Sequence, residues 1–379
     1  MASPSVSVRL NPFKGACGPA GREVPWSPYG RILEKRPNFT LDPLFHAGCY
    51  YVQDSSAMFV GHLLRKLLSR HMAGASGIRL LDLCAAPGGK TTDAAASLRE
   101  FCGGDFSVVS NEVMVQRAGV LRDNVALWGD PNVAVTSVDP GAFASLEGYF
   151  DIIIADVPCS GEGMFRKDPV AVKNWSPETV KLCAARQKRI LADAWPSLRE
   201  GGILIYSTCT YEAEENDDNL LWAAQQLGGE VVSVEDEFPE SGVETTSVGS
   251  LLRAGVVPGE GQWAGALLKT SPQRTRRNPD LAVLRPQYTS PSRTDAAKSD
   301  RPLPDFALSI DFDGSLYPSV EVDEATALRF LHRDALVLPA AAPGYNVVTY
   351  LGHPLGFVKN IGKRCNNLLP KSRRILMDI

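Results

Sequence analysis

Three features that define common protein classes are absent from this chain of 379 residues. No apolar run approaches the roughly 18 residues that a membrane-spanning helix needs, and the first residues lack the apolar segment of a signal peptide. The eight cysteines form no CxxC pair and there are only five histidines, so neither a zinc site nor a disulfide framework is predicted. We therefore expect a cytoplasmic monomer that binds no metal and no membrane.

Charged residues are unevenly distributed, although the formal net charge is only -4. Residues 1–36 hold six Lys or Arg and two Glu, and residues 359–374 hold six Lys or Arg and no acid. Residues 212–240 hold ten acids and no base, which is typical of a solvated face. Basic segments at both ends are suited to hold a polyanion such as RNA.

Short strand patterns alternate with helix patterns through the middle of the sequence. Apolar, β-branched runs predict strands at 78–84, 106–112, 133–139, 150–157 and 202–209, and helices at 90–100, 113–128, 177–199 and 212–227 lie between or after them. This alternation predicts an α/β fold with a parallel sheet, in which ligands bind beyond the carboxyl ends of the strands. Ser176 and Pro177 predict the start of the third helix, and Gly201–Gly202 predicts its end.

Composition divides the chain into four parts. The α/β domain is expected at 72–270, after an N-terminal segment at 1–71. Residues 271–305 are rich in Pro, Ser and Thr without periodicity, which predicts a linker. Residues 306–379 resume with short strand patterns separated by Gly and Pro, and they predict a small, mostly β domain.

A glycine turn follows the first strand of the predicted sheet, in LDLCAAPGGK. It matches neither GxGxxG nor GxxxxGK[ST], so it lacks the signatures of dinucleotide and P-loop binding. Glu112 and Asp139 lie at the tips of the next two strands and can accept hydrogen bonds from ribose hydroxyls and an adenine amine. The pattern favours a nucleoside cofactor such as S-adenosylmethionine. The turn residues expected to bind it are Cys84, Ala85, Ala86, Pro87, Gly88, Gly89 and Lys90.

Two cysteines lie at the tips of the fourth and fifth strands, at the edge where a ligand is expected. A single buried cysteine is usually core filler. Cys159 and Cys209, however, each lie in a tight polar turn on neighbouring strands. The pair therefore predicts thiol chemistry at this edge of the sheet.

These motifs together resemble the Sun-type RNA cytosine-5 methyltransferase family, and the resemblance covers nearly the whole chain. The ordered motifs are LDLCAAPGGKT, SNE, DVPCSGEGMFRKDP and YSTCTYEAEEN. Residues 36–60 are similar to the bacterial small-subunit rRNA branch of the family, the RsmF type. Residues 344–375 are similar to its PUA-like RNA-binding module. The resemblance implies a Rossmann-like S-adenosylmethionine-dependent sheet, an N-terminal RNA-binding segment (1–71) and a PUA-like domain (306–379).

The resemblance also implies roles for individual residues. Cys209 of the TCT motif would attack C6 of cytosine, and Cys159 of the PCS motif would assist product release. The reversed assignment, as in DNA cytosine methyltransferases, stays open. Asp156 would hold the base and also lie near the cofactor, and Lys90 would orient the base or the cofactor.

Three further basic residues lie close to these motifs. Arg166 and Lys167, just beyond the cysteine turn, are expected to contact RNA phosphate. Arg117, on the helix after SNE, could touch the cofactor or RNA, but we expect a helix-surface arginine.

The resemblance favours 16S ribosomal RNA as the substrate, and several alternatives remain open. Transfer RNA is the second candidate for the methylated RNA. The acceptor could instead be DNA or a protein. A chain without catalytic activity would be an RNA-binding ribosome-assembly factor, although such a chain is expected to have lost a cysteine or the glycine turn.

Overall fold

The fold was determined from a computed structural model that describes residues 5–166, 169–233, 238, 241–273, 280–298 and 301–379. The N-terminal part forms a four-stranded antiparallel sheet with strand order β2-β3-β1-β4. Two helices accompany it. The elements are β1 (Val6–Leu10), β2 (Arg22–Val24), β3 (Ser27–Leu33), α1 (Pro43–His46), β4 (Tyr50–Val52) and α2 (Phe59–His71).

The second sheet is the large one, and its centre is parallel as the sequence predicts. Five parallel strands lie in the order β9-β8-β5-β6-β7. Helices connect or follow them. In chain order the elements are β5 (Ile78–Asp82), α3 (Gly89–Cys102), β6 (Phe106–Asn111), α4 (Val115–Trp128), β7 (Val133–Thr136), β8 (Phe150–Asp156), α5 (Pro169–Asn174), α6 (Pro177–Ala194), β9 (Leu198–Thr208) and α7 (Asp217–Ala223).

Antiparallel strands extend this sheet on both sides. On one side, β13 pairs with β9, and both β12 and β10 pair with β13. Strand β11 then pairs with β12. On the other side, β14 pairs with β7. The predicted linker, 271–305, therefore supplies an edge strand and a short helix. The elements are β10 (Gly229–Val232), β11 (Val243–Thr245), β12 (Gly249–Leu252), β13 (Gln262–Lys269), β14 (Tyr288–Thr289) and α8 (Arg293–Ala297).

Apolar side chains cover both faces of the parallel strands, as the β-branched runs predict. One face packs against α2, α3 and α4, through residues such as Leu64, Leu98 and Leu121. The other packs against α6 and α7, through Ile190 and Leu220. The fold class is therefore as predicted: an α/β, Rossmann-like sheet with helices on both faces.

The prediction that the third helix ends at Gly201–Gly202 is wrong. Helix α6 ends at Ala194, and Pro196 lies in a short 3₁₀ helix directly after it. Strand β9 then runs through both glycines. Gly201 has a φ of 70° and lies where the pairing with β8 shifts register between Phe150 and Ile152. The glycines thus permit a bulge in the strand. A residue in the left-handed backbone conformation is favoured at such a bulge as well as at the end of a helix.

The C-terminal domain is a small sheet with one helix. Its strand order is β15-β16-β17-β18, with a register shift between Val348 and Thr349. It shares one apolar cluster with the N-terminal sheet, in which Val8 and Tyr50 belong with Phe330 and Leu355. The elements are β15 (Ser319–Glu321), α9 (Glu324–Leu331), β16 (Gly344–Tyr350), β17 (His353–Asn360) and β18 (Cys365–Asn367).

The N-terminal sheet is also anchored to the start of α3. Arg9 is 1% exposed and donates through Nη2 to Thr92 Oγ1 at 2.6 Å and through Nε to Gln53 Oε1 at 2.9 Å. Its guanidinium also stacks over Trp128 at 4.4 Å from the ring centroid. The N-terminal sheet therefore helps to fix the helix that follows the glycine turn.

Candidate active site

The two predicted cysteines lie together in one cavity at the carboxyl edge of the parallel strands. Cys159 follows β8, Cys209 follows β9, and their Sγ atoms are 3.2 Å apart. The cavity has a volume of about 480 Å³, and both thiols line it. The carboxyl ends of neighbouring parallel strands lie at the same edge of the sheet, so Cys159 and Cys209 lie close together although they are distant in the sequence.

Hydrogen bonds from α6 and from the loop after β9 hold the turn that carries Cys159. Gln187 donates through Nε2 to the Pro158 carbonyl at 3.0 Å and to Glu215 Oε2 at 2.6 Å. The Glu215 carboxylate also accepts the Ser160 backbone N–H at 3.1 Å. This buried network fixes the backbone on both sides of Cys159.

The turn that carries Cys209 is held from the opposite side. Glu162 accepts through Oε2 from Thr210 Oγ1 at 2.9 Å and from the Tyr211 N–H at 2.6 Å. The Gly163 N–H donates to the Cys209 carbonyl at 2.7 Å. The segment after Cys159 therefore supports the turn around Cys209, so the two thiols are positioned as one unit.

The thiols differ in acidity because one donates a hydrogen bond to the other. The hydrogen bond from Cys159 lowers the pKa of Cys209, and nearby Lys90 acts in the same direction while burial opposes both. The same hydrogen bond and burial raise the pKa of Cys159 well above its ordinary value. Of the two thiols, Cys209 is therefore the one that ionises first, with Cys159 as the donor to its sulfur.

Asp156 accepts hydrogen bonds from three side chains. Lys90 Nζ lies 2.8 Å from Oδ2, while Ser207 Oγ at 2.7 Å and Gln262 Nε2 at 3.1 Å donate to Oδ1. Burial lowers the pKa of Lys90, but the charge and hydrogen bond of Asp156 outweigh it and raise that pKa. Three donors fix the carboxylate beside Cys209, and one ammonium balances its charge.

Sequence reasoning missed Ser207 and Gln262, for different reasons. Ser207 pairs with Asp156 in the register of β8 and β9, so aligning the two strand ends would have found it. Gln262 begins β13, whose Trp263 pairs with Thr208 of β9. An antiparallel strand that returns from beyond α7 gives no local signal of that contact.

Arg117, which also lines the cavity, contacts both the glycine turn and Glu112. Its Nη1 lies 3.2 Å from Glu112 Oε2, and its Nη2 donates to the Ala86 carbonyl at 2.8 Å. Glu112 Oε1 accepts the Met114 N–H at 3.0 Å. We expected Arg117 to be a helix-surface arginine. The structure adds that its guanidinium contacts Glu112, the acid predicted to bind a ribose.

Asp139 lies where the sequence places it, beyond the end of β7. Its Oδ1 accepts the Gly141 N–H at 3.0 Å and caps a short 3₁₀ helix that begins at Pro140. It lines the same cavity as Glu112 and Asp156. Three carboxylates, from the ends of β6, β7 and β8, therefore line one cavity.

The glycine turn contributes less of the cavity wall than the sequence suggests. Cys84 and Ala86 line the cavity, and burial raises the pKa of Cys84, which makes it an inert thiol. A Cβ on Gly88, whose φ is 116°, would lie 3.2 Å from Leu121, and one on Gly89 would lie 3.2 Å from Gln53. The close approach that these glycines permit is thus to protein side chains. The remaining predicted turn residues, Ala85, Pro87 and Lys90, lie between or directly after these positions in the chain.

Asp82, at the end of β5, is a further acid near the site that the sequence did not single out. Burial raises its pKa to about 7, Thr91 Oγ1 donates to Oδ2 at 2.6 Å, and Oδ1 is buried without a hydrogen bond. The sequence could have predicted this residue, because Asp82 ends strand β5 in the same way as Asp156 ends strand β8. The charges of Asp156 and Glu112 also raise this pKa.

The two basic residues predicted to contact phosphate have different outcomes. Arg166 forms an ion pair with the buried Glu260, with Nε 3.6 Å from Oε2. Lys167 lies outside the described residues. The backbone N–H of Glu260 donates to Asp54 Oδ1 at 3.2 Å, which anchors the loop around Glu260 to the N-terminal part.

Two arginines of α6, Arg186 and Arg189, also line the cavity, and no pattern in the sequence distinguishes them from other surface cations.

Among the described residues, no group of three or more His, Cys, Asp or Glu could hold a metal ion. None of the helices within the described ranges is long and apolar enough to cross a membrane.

Three family models match this chain. The family model "16S rRNA methyltransferase RsmB/F" matches residues 71–260, which is half of the chain. The models for the N-terminal domain of 16S rRNA methyltransferase RsmF and for the methyltransferase RsmF PUA domain match residues 1–55 and 317–375.

Individual relatives and one solved structure are similar over much of the chain. Ribosomal RNA small subunit methyltransferase F of Escherichia coli O157:H7 is 36% identical over 60% of this chain and 47% of its own length. The Cronobacter sakazakii protein of the same name is 34% identical over 65% and 52%. The chain thus spans about half the length of these curated relatives. A methyltransferase homolog protein from Pyrococcus horikoshii is 25% identical with a TM-score of 0.58, covering 71% of this chain and 87% of that one.

The residues that match the RsmB/F family model, 71–260, include both cysteine turns and the three carboxylates that line the cavity. The flanking models match the N-terminal sheet and the small C-terminal domain. The chain therefore belongs to the RsmB/F family of 16S rRNA methyltransferases.

Proposed function

We propose that this chain transfers a methyl group from S-adenosylmethionine to C5 of a cytosine in RNA, and that the RNA is 16S ribosomal RNA. The observation that carries the chemistry is the 3.2 Å contact between the Cys159 and Cys209 thiols in one cavity with Asp156. The names of the relatives support the ribosomal substrate. With such a substrate, we expect the activity in the cytoplasm.

The cavity is suited to S-adenosylmethionine. Glu112 and Asp139 offer carboxylate oxygens for ribose hydroxyls and an adenine amine. The volume of about 480 Å³ is within the usual range for a small-molecule site. When bound, the cofactor supplies an electrophilic methyl group on a sulfonium, which must lie near the thiols for transfer to a base held there.

Cys209 is the nucleophile in this proposal. C5 of cytosine is too weak a nucleophile to accept a methyl group unaided, and a thiolate that adds to C6 makes C5 enamine-like. The lowered pKa of Cys209 favours its thiolate. Asp156, fixed by Lys90 and two further donors, accepts from the cytosine amine or the protonated ring nitrogen and so holds the base for attack.

Cys159 assists product release. Its raised pKa arises first from the hydrogen bond to Cys209. Once the Cys209 sulfur is bonded to C6 it carries no negative charge, so this cause is removed and the pKa of Cys159 falls, while burial and the charge of Glu215 still raise it. In the proposal Cys159 then loses its proton to solvent. Once C5 carries the methyl group given up by the sulfonium, the Cys159 thiolate takes the remaining proton from C5, and the electrons of that C–H bond re-form the C5–C6 double bond as the Cys209 thiolate leaves.

The basic C-terminal segment supports RNA as the partner. Lys359, Lys363, Arg364, Lys371 and Arg374 are exposed on or after the small sheet, whereas Arg373 is buried against Asp305. The exposed cations can neutralise phosphates. Among the N-terminal aromatics, Trp26 and Phe39 are buried and belong to apolar clusters, so they are core residues rather than base-stacking platforms.

Methylation of defined RNAs tests the proposal. The chain is incubated with S-adenosylmethionine and, separately, with small ribosomal subunits, free 16S rRNA and transfer RNA. Bisulfite sequencing then locates 5-methylcytosine. We expect one modified cytosine in 16S rRNA, and none with the Cys209→Ala variant. Modification of transfer RNA alone would replace the substrate, and RNA binding without any methylation would favour the assembly-factor alternative.

A further inference from the structure

Two arginines on α6 face the cavity that holds the thiols. Arg186 and Arg189 are three residues apart, which places them on one side of the helix. Both are exposed and both line the cavity. Within the part of the chain that the structure describes, neither guanidinium has a hydrogen bond or an ion pair with a protein group.

The position of these arginines is fixed relative to Cys159. Gln187, between them in the sequence, is fully buried and donates to the Pro158 carbonyl at 3.0 Å. The same side chain donates to Glu215, which accepts the Ser160 N–H. Helix α6 is therefore bonded to the backbone on both sides of Cys159. Movement of the helix and of the thiol turn is coupled, so the helix positions that carry the two arginines stay beside Cys159.

The acids that line the cavity do not balance both of these cations, because Asp139 is the only one of the three without an ion-pair partner among the described residues. Glu112 pairs with Arg117 and Asp156 pairs with Lys90, so these acids of the wall have other partners. A cavity with two guanidinium groups at its mouth is suited to an anion. Arginine is well suited to phosphate in particular, because its planar fork presents two N–H donors in parallel.

We propose that Arg186 and Arg189 hold the RNA phosphates next to the target cytosine. This inference rests on the proposed function. A base can reach Cys209 only after it leaves its stack, and its two flanking phosphates must then approach the mouth of the cavity. The carboxylate of the cofactor is the other anion that enters this cavity, but its single charge does not account for two arginines. Because the net charge of the chain is -4, its affinity for RNA depends on such local groups.

The test is RNA affinity of a variant that removes both charges. In R186Q/R189Q, both substituted side chains are exposed, so we expect the fold to be retained, which circular dichroism and thermal melting check. The control, R70Q/K181Q, removes two exposed cations that lie outside the cavity. Affinity for a 16S rRNA transcript is measured by fluorescence anisotropy at several salt concentrations, and affinity for S-adenosylmethionine by calorimetry.

We expect R186Q/R189Q to bind the transcript roughly tenfold to a hundredfold more weakly than the control. The slope of log affinity against log salt should fall by about 1.4, for two phosphates on single-stranded RNA. Cofactor affinity should not change, and R186K/R189K should recover part of the affinity, because lysine keeps the charge without the fork.

Other results overturn the inference. Weaker cofactor binding with unchanged RNA binding would assign the arginines to the cofactor carboxylate. RNA affinity and salt slope equal to those of the control would remove any phosphate role. The binding measurement needs no methyl transfer, so a wild-type chain that binds RNA but does not methylate it refutes the proposed function and leaves this inference standing.

Discussion

The Sγ atoms of Cys159 and Cys209 lie 3.2 Å apart although the residues are 50 positions apart in the chain. At that distance the two thiols do not ionise independently. The hydrogen bond lowers the pKa of Cys209, so Cys209 loses its proton before Cys159 does. In the proposed mechanism Cys209 is therefore the nucleophile, and Cys159 stays a thiol until the adduct forms.

The first prediction concerns the covalent intermediate. Cys159→Ala retains the nucleophile but lacks the release group, so the chain should accumulate as a crosslink to RNA that survives denaturing electrophoresis. Cys209→Ala should bind RNA without a crosslink, with methyl transfer reduced by at least about a thousandfold. The double variant should behave like Cys209→Ala. A crosslink in Cys209→Ala that is absent from Cys159→Ala would reverse the two roles.

The second prediction concerns the pH dependence of adduct formation. Only the thiolate adds to C6, so the rate rises with pH through the pKa of Cys209. Cys159→Ala removes the hydrogen bond that lowers this pKa, whereas the hydroxyl of Cys159→Ser retains a donor. When the rate is measured from about pH 6 to 10, the midpoint of the profile should be higher in the Ala variant than in the Ser variant, because the Ala variant lacks the hydrogen bond that lowers the pKa of Cys209. Identical midpoints for the Ala and Ser variants would contradict the hydrogen-bond assignment.

The third prediction concerns the cofactor. Asp139→Arg replaces an acceptor on the cavity wall by a cation, so calorimetry should show affinity for S-adenosylmethionine reduced by at least about tenfold. Glu147→Arg is a matched control, because Glu147 is exposed on the loop after the same 3₁₀ helix and lies outside the cavity. Unchanged affinity in Asp139→Arg would move the adenine side of the cofactor elsewhere.

The fourth prediction concerns the C-terminal cations. Deleting 306–379 would remove part of the cluster that also buries Val8 and Tyr50, so substitutions are the cleaner test. Replacing the exposed Lys359, Lys363 and Arg364 by Gln should weaken RNA binding and reduce the salt slope by about 0.7 for each phosphate that is no longer neutralised. Cofactor affinity should stay constant. The same slope as wild type would show that these residues do not bind RNA.

The sequence predicts best what local patterns determine. The parallel strands, the placement of Cys159 and Cys209 at one edge and the acids at the strand tips follow from strand periodicity and from the rule for parallel sheets. The hydrogen bond between Gln262 and Asp156 depends on how an antiparallel strand returns to the sheet, which no local pattern encodes. The bulge at Gly201 looks like a helix stop in sequence, because both need a left-handed residue.

Packing between the two ends of the chain has a consequence for biosynthesis. The N-terminal sheet buries its apolar face against residues such as Phe330 and Leu355, which leave the ribosome more than 300 positions later than Val8. At typical elongation rates that interval is roughly tens of seconds. During it the N-terminal sheet presents an open hydrophobic face, so nascent chains are expected to need chaperone protection until the small C-terminal sheet is made. The chain would then be most prone to aggregation while it is still attached to the ribosome that makes it.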